Sequence, residues 1–270
     1  MTEALSALKH RSTRHHAVAL TRLIGLNTEE QGHQASLLQR AESRIKRQQE
    51  QHQLNVEAVL NHAVSQSDND VAGHDPDPDW LHQFLSLAER VHSPRMQELW
   101  GRILAAELSQ PGSFSLRALD TLKQMTQKDA LLLGRAVALS TTINSEPNRK
   151  ILLGYRRGAA YGGLLAASQP SLSLSRFGLP YSAILTLREQ GILFAAELET
   201  GLLSAGEPLR MRFQGPTLLL RPRHSRLRLR YYRFTPLGLE LARLVQDQTD
   251  QDYIAALSKL MLRDFDAAGA

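Results

Sequence analysis

At 270 residues, 42% of them hydrophobic, the chain can bury one large core or two modest ones, which excludes disorder throughout. It has no cysteine, so disulfides, thiolate zinc sites and cysteine nucleophiles are ruled out by chemistry. Leu and Ala abound while aromatics reach only 6%, a balance that favours helix packing, and the net charge of +5 conceals segregation along the chain.

Residues 1–34 are polar and basic, with Lys9, Arg11, Arg14 and the cluster His10, His15 and His16, and they carry no long apolar period. A loosely ordered basic arm is expected there. The histidines lack a nearby carboxylate, so they read as solvated surface and not as a metal site. Arg22 splits Ala17-Val18-Ala19-Leu20 from Leu23-Ile24, which suits neither a signal peptide nor a membrane span and points to the cytoplasm. Across 35–64, Leu37, Leu38, Ile45, Leu54, Val56, Val59 and Leu60 lie in a Gln/Arg/Glu-rich stretch without Pro or Gly. That pattern predicts a long, mostly exposed helix that docks by its C-terminal half.

Residues 65–78 hold Asp68, Asp70, Gly73, Asp75, Pro76, Asp77 and Pro78 and read as an acidic linker. The spacing of Asp68, Asp70, Gly73 and Asp79 imitates a calcium loop. Ala72 at its fifth position, the missing terminal Glu and the two prolines argue against one. The wider stretch 64–110 sets eight acids against three arginines. A four-helix bundle is expected over 79–142. Pro78 and Pro94 suit first helical positions, Pro111-Gly112 stops the second helix, and Thr126 with Asp129 opens the fourth.

Beyond the polar loop 141–148, Gly154, Gly158 and Gly162 recur every four residues, which predicts a helix with a small-residue packing face. From Leu179 a helix carries Ala183, Ile184, Leu187 and Arg188 and ends at Gly191. Two alternating segments follow: Leu209, Met211 and Phe213 among Arg210, Arg212 and Gln214, then Leu227, Leu229 and Tyr231 among Arg228, Arg230 and Tyr232. They are expected to pair across a long loop, Gly215 to Arg226, before a helix capped by Thr235 with Pro236 in its first turn. Helix, strand, long loop, strand and helix in this order over about 170–246 resemble the winged-helix family, and 150–270 is taken as that module with C-terminal helices. The expected fold class is therefore mainly α, a helical bundle with a C-terminal winged-helix-like α+β module.

The resemblance implies nucleic-acid contact through the helix before the hairpin, at Tyr181, Ser182 and Arg188, and through the hairpin arginines. Those are Arg221, Arg223, Arg226, Arg228, Arg230 and Arg233; over 202–235 eight arginines face Glu207 alone. Guanidiniums grouped in this way suit a DNA or RNA backbone, with Tyr231 or Tyr232 available to stack on bases. Their alternative use is to grip an acidic protein, in a scaffold that self-associates through the long helix or the glycine face.

No phosphate-binding Gly-rich loop, His-Glu-x-x-His, Gly-x-Ser-x-Gly or dinucleotide fingerprint occurs, so an enzyme is not expected, nor a metal or cofactor. The most distinctive text is Glu98-Leu99-Trp100-x-x-Ile103-Leu104-Ala105-x-Glu107, followed by Pro111-Gly112-Ser113-Phe114-Ser115-Leu116-Arg117-x-Leu119. It resembles an uncharacterised bacterial family, a domain of unknown function. The resemblance implies a cytoplasmic regulatory or phage-defence-associated binding protein. Glu98, Glu107, Ser113, Ser115 and Arg117 are the polar residues of that text that packing alone does not demand, and Arg117 is placed to pair with Glu107.

Overall fold

A computed structural model describes residues 13–15, 17, 21, 36–67, 72–159, 167–245 and 249–267. Almost all of the basic arm, Asp68 and Asp70 of the calcium-like spacing, and Gly162 lie outside the described residues. The chain divides into two compact units, Met1–Ala72 with Pro78–Ala105, and Gly73–Asp77 with Ala106–Ala270.

In the first unit, helix α1 (Leu37–Gln66) starts at a reciprocal cap: Ser36 accepts from the Gln39 amide while the Gln39 side chain accepts from the Ser36 amide. Its buried residues are Asn55, Val59 and Ala63, all in the C-terminal half, while Leu37, Leu38, Ile45 and Leu54 are exposed. Helices α2 (Pro78–Ala88) and α3 (Pro94–Ser109) each begin on proline, whose missing N–H leaves no donor orphaned at that position. Trp80 stacks on Phe84, which meets Trp100, giving an aromatic core between α2 and α3. Gly101 lets α1 approach, because a Cβ there would lie 2.4 Å from His62 Cβ.

Asn55, 1% exposed, pins α1 to the α2–α3 connection. It donates to the Glu89 carbonyl at 2.8 Å and accepts from Gln97 at 3.2 Å and Gln51 at 3.0 Å. Leucine at position 55 would leave the Gln97 and Glu89 groups short of a partner. Asn55→Leu is therefore expected to cost about 2 kcal/mol, read as a lowered urea midpoint for the helical unit.

In the second unit, α4 (Leu116–Gln124) is capped by Ser115 and α5 (Gln127–Ala138) by the Thr126–Asp129 box. Strands β1 (Ser140–Ile143) and β2 (Lys150–Arg157) follow, then a 3-10 turn (Leu174–Phe177) and α6 (Tyr181–Glu189). Next come β3 (Leu198–Glu199), β4 (Leu209–Arg212), β5 (Thr217–Pro222) and β6 (Leu227–Arg233). Helix α7 (Pro236–Ala242), α8 (Gln251–Met261) and β7 (Phe265–Ala267) complete the unit. The strands form one seven-stranded sheet in the order β3-β6-β2-β1-β4-β5-β7, every neighbouring pair antiparallel.

This sheet is strongly curled. Laid flat, β2 and β7 would stand four spacings apart, about 19 Å. Yet Asp264, just before β7, accepts from the Tyr155 hydroxyl at 2.6 Å and from Arg157 at 3.0 Å, both on β2. Two side chains cannot bridge a flat gap of that size. The four-residue link 223–226 imposes the same closure between β5 and β6, its ends held by Arg223 N–H to the Asp264 carbonyl and Gly158 N–H to the Arg226 carbonyl, each 3.0 Å. A bulge where the β2 register shifts between Leu152 and Gly154 supplies a bend. Helix α8 packs on the sheet: buried Tyr253 donates to the Leu152 carbonyl at 2.7 Å and meets Phe177 and Phe213 edge-on.

The architecture is α+β and overturns the mainly α expectation. The four helices predicted after the linker form, with α2 and most of α3 in the first unit and α4 and α5 in the second. Where it is described, the small-residue segment is not a helix: residues 150–157 are strand β2, and its bulge falls at Leu153 and Gly154. The winged hairpin is also absent, because β4 turns tightly into β5, with Phe213 N–H to the Pro216 carbonyl at 3.0 Å, while β6 lies between β3 and β2.

Candidate functional site

Strand alternation decides where the arginines point. On β6, Leu227, Leu229 and Tyr231 are buried while Arg228 faces solvent; on β4, Leu209 and Met211 are buried while Arg210 and Arg212 are exposed; on β5, Arg221 is exposed. Since β5 pairs with β4 and β6 with β2, the arginine run divides between opposite halves of the strand order. The single cationic hairpin expected from the sequence becomes two groups.

The first group gathers around the end of β2. Arg156 and Arg228 are direct cross-strand partners. With Arg226, Gly158 and Leu202 they line a cleft of about 270 Å³. Glu199 on β3 approaches both, 3.6 Å from Arg156 and 3.8 Å from Arg228. Arg230 is different, since it is tightly bound to Glu197 at 2.6 Å. Arg233 lies over the Phe194 ring, 5.4 Å from its centroid. At the end of α6, Arg188 lies 5.9 Å from the centre of the Tyr232 ring, and Tyr181 is exposed at the helix start. Tyr231 and Tyr232 are buried, and burial pushes both hydroxyls above their ordinary value, so neither ring is presented as a stacking platform.

The second group is Arg210, Arg212 and Arg221 on the outer face of β4 and β5. Arg210 pairs across the strands with Leu219, which places Arg221 diagonally beside it at about 7–8 Å between backbones. A cleft of about 590 Å³ is lined by Arg210 and Arg212 together with Thr217 and Leu219. Arg212 donates to the Asn144 carbonyl at 2.8 Å. Arg223 closes on Asp266 at 2.8 Å. Among the described residues, Arg210, Arg212, Arg221 and Arg226 have no carboxylate partner. The carboxylates seen in ion pairs with the cations of this unit are Glu146, Glu197, Glu199, Asp250, Asp264 and Asp266.

The polar residues of the distinctive motif are accounted for by turns and caps. Glu107 is buried and accepts from the Gly112 amide at 2.6 Å and the Phe114 amide at 3.1 Å, so it shapes the Pro-Gly-Ser-Phe turn. Ser113 donates to the Gln110 carbonyl, and Ser115 both caps α4 and donates to Glu240 at 2.8 Å. Arg117 Nη2 lies against Gly191, and among the described residues no ion pair joins Arg117 to Glu107.

Two groups escaped the sequence reading. Asp264 is buried with both oxygens engaged, one by Tyr155 and the other by Arg157 with His224 Nε2 at 3.9 Å. A carboxylate so committed is a clasp and has no oxygen spare for proton transfer. Glu199 carried only one local signal, the alternation Glu197-Leu198-Glu199. Among the described residues no three His, Asp or Glu side chains are grouped to hold a metal ion, and no helix is long and apolar enough to cross a membrane.

Compared with known proteins, the chain matches no curated protein and no solved structure. One family model does match, over residues 39–258, which takes in most of both units. The chain therefore belongs to the family described as protein of unknown function, DUF2806.

Proposed function

We propose that this protein binds nucleic acid through the phosphate backbone, without catalysis and without reading base edges, using the outward arginines of its curled sheet. The observation that carries the reading is the set Arg210, Arg212, Arg221 and Arg226, set on β4, β5 and the 223–226 link with no carboxylate partner among the described residues. The aromatic residues of β4, β5 and β6 are Tyr231 and Tyr232, both buried, so those strands offer charge and no stacking face. Binding of this kind is governed by counterion release and is indifferent to sequence.

A fluorescent duplex of arbitrary sequence is expected to bind at low salt and to be released as salt rises. Arg210→Ala, Arg212→Ala and Arg221→Ala combined should flatten the plot of log affinity against log salt by about 2–3 units, near 0.9 for each phosphate that is no longer neutralised. No retention at low salt, or retention indifferent to salt, overturns the reading.

A second reading draws on Leu37, Leu38, Ile45 and Leu54, exposed along the first eighteen residues of α1, with Leu37 at 75%. They favour self-association through that helix, in a scaffold whose arginines hold an acidic protein. Light scattering that returns a monomer mass across a wide concentration range excludes it.

A further inference from the structure

We infer that the cleft formed by Arg156, Arg226 and Arg228 is a discrete site for a single phosphoryl group, with Glu199 as its built-in, displaceable counter-ion. The inference deepens the nucleic-acid reading by naming the place where a phosphate is held, and it rests on that reading only for the source of the phosphate.

Arg156 and Arg228 occupy directly opposed positions on β2 and β6, where like charges oppose strand pairing. Both keep nearly half of their side-chain surface in solvent, 49% and 46%. Arg226 is brought to the same place by backbone: its carbonyl accepts the Gly158 N–H at 3.0 Å, fastening the 223–226 link to the end of β2. Arg156 and Arg228 thus share one carboxylate while Arg226 lines the same cleft without one, and the surplus of positive charge suits a phosphoryl group.

Glu199 does not saturate its neighbours. At 3.6 and 3.8 Å it lies beyond hydrogen-bonding reach of both arginines, so it lowers the repulsion between them without using their N–H donors. A phosphoryl group presents several acceptor oxygens to such planar forks and can take paired bonds from more than one. Among the described residues the lining contains no aromatic side chain, and Leu202 is its one large apolar side chain. With about 270 Å³ the cleft sits below the usual range for drug-sized ligands and admits a phosphate without its base.

The test is calorimetric titration of the full chain with inorganic phosphate, alongside an unphosphorylated oligonucleotide duplex. Wild type should saturate with phosphate in the millimolar range. Arg156→Ala with Arg228→Ala should weaken phosphate at least about tenfold, and by clearly more than the Arg210, Arg212, Arg221 triple variant does. Glu199→Gln should tighten phosphate about fivefold, because it removes a surface competitor worth about 1 kcal/mol. This last variant decides the matter even if the double arginine variant fails to fold, since it leaves all three cations in place.

Absence of saturable phosphate binding overturns the inference, as does an unchanged or weakened affinity in Glu199→Gln, or an equal loss in the β4–β5 variant. Duplex binding without phosphate binding removes the cleft and leaves the broader sheet reading standing. Phosphate binding without duplex binding keeps the cleft and removes nucleic acid as the source.

Discussion

Replacing Gly154 with alanine is expected to cost the sheet unit about 4 kcal/mol or to prevent its folding, the sum of backbone strain and a clash that cannot relax. Gly154 has φ +149°, a conformation side-chain-bearing residues rarely adopt, and a Cβ there would stand 2.2 Å from the Pro170 carbonyl oxygen and 3.0 Å from Ser171 Cα. The opposing atoms are backbone, and they are tied down. Tyr155 donates its amide to that same Pro170 oxygen, and Leu172 donates to the Leu153 carbonyl at 2.7 Å. Gly158 is the control four residues on: its added Cβ would meet nothing nearer than 3.7 Å, so Gly158→Ala should be close to neutral. Urea unfolding checks both; a Gly154→Ala midpoint within error of wild type would mean that the bulge is not as described.

The second large effect centres on Asp264. Asp264→Ala is expected to destabilise the sheet unit by about 3 kcal/mol, because it strands the buried Tyr155 hydroxyl and removes the partner of Arg157 at one stroke. Tyr155 makes the same clasp visible through pH. Burial pushes its hydroxyl well above the ordinary value near 10, and the hydrogen bond to Asp264 pushes the same way. Burial also raises Tyr253, which lies fully inside the unit. Both pKa values are higher folded than unfolded, so the fold favours the neutral phenols. Their contribution is complete below about pH 10 and is lost as pH climbs from there toward the raised folded values. Stability should therefore fall above about pH 10, and Tyr253→Phe should flatten that fall. A wild-type profile level through about pH 11 contradicts the assignment.

The helices were readable because their boundaries are written in local chemistry: Pro78, Pro94, the Thr126–Asp129 box and Thr235 with Pro236 each mark a start that the structure keeps. The sheet was less readable for reasons of burial and distance. Residues 150–155 of β2 are buried on both faces, so the strand has no alternation to betray it, while Gly154, Gly158 and Gly162 happen to share a helical period. Strand β1 is Ser-Thr-Thr-Ile and reads as loop. Strand β5, Thr-Leu-Leu-Leu-Arg-Pro, is a short apolar run whose extended state depends on β4 and β7 beside it. The pairing of β6 with β2 joins residues from 70 (Arg157 and Leu227) to 83 (Lys150 and Arg233) positions apart, which no local period encodes. The candidate site inherits this division. The identities of the arginines were legible from composition, but their separation into two groups, and the approach of Arg156 and Glu199 to Arg228, follow from strand order alone.

The sheet terminates in strands of two and three residues, β3 on one side and β7 on the other, and β7 carries Asp266 locked to Arg223. So little backbone at a border gives an incoming strand few hydrogen bonds to add, and a fixed charge there penalises a poorly matched newcomer. Neighbouring molecules are thereby discouraged from stitching themselves into fibrils by strand addition at those two borders.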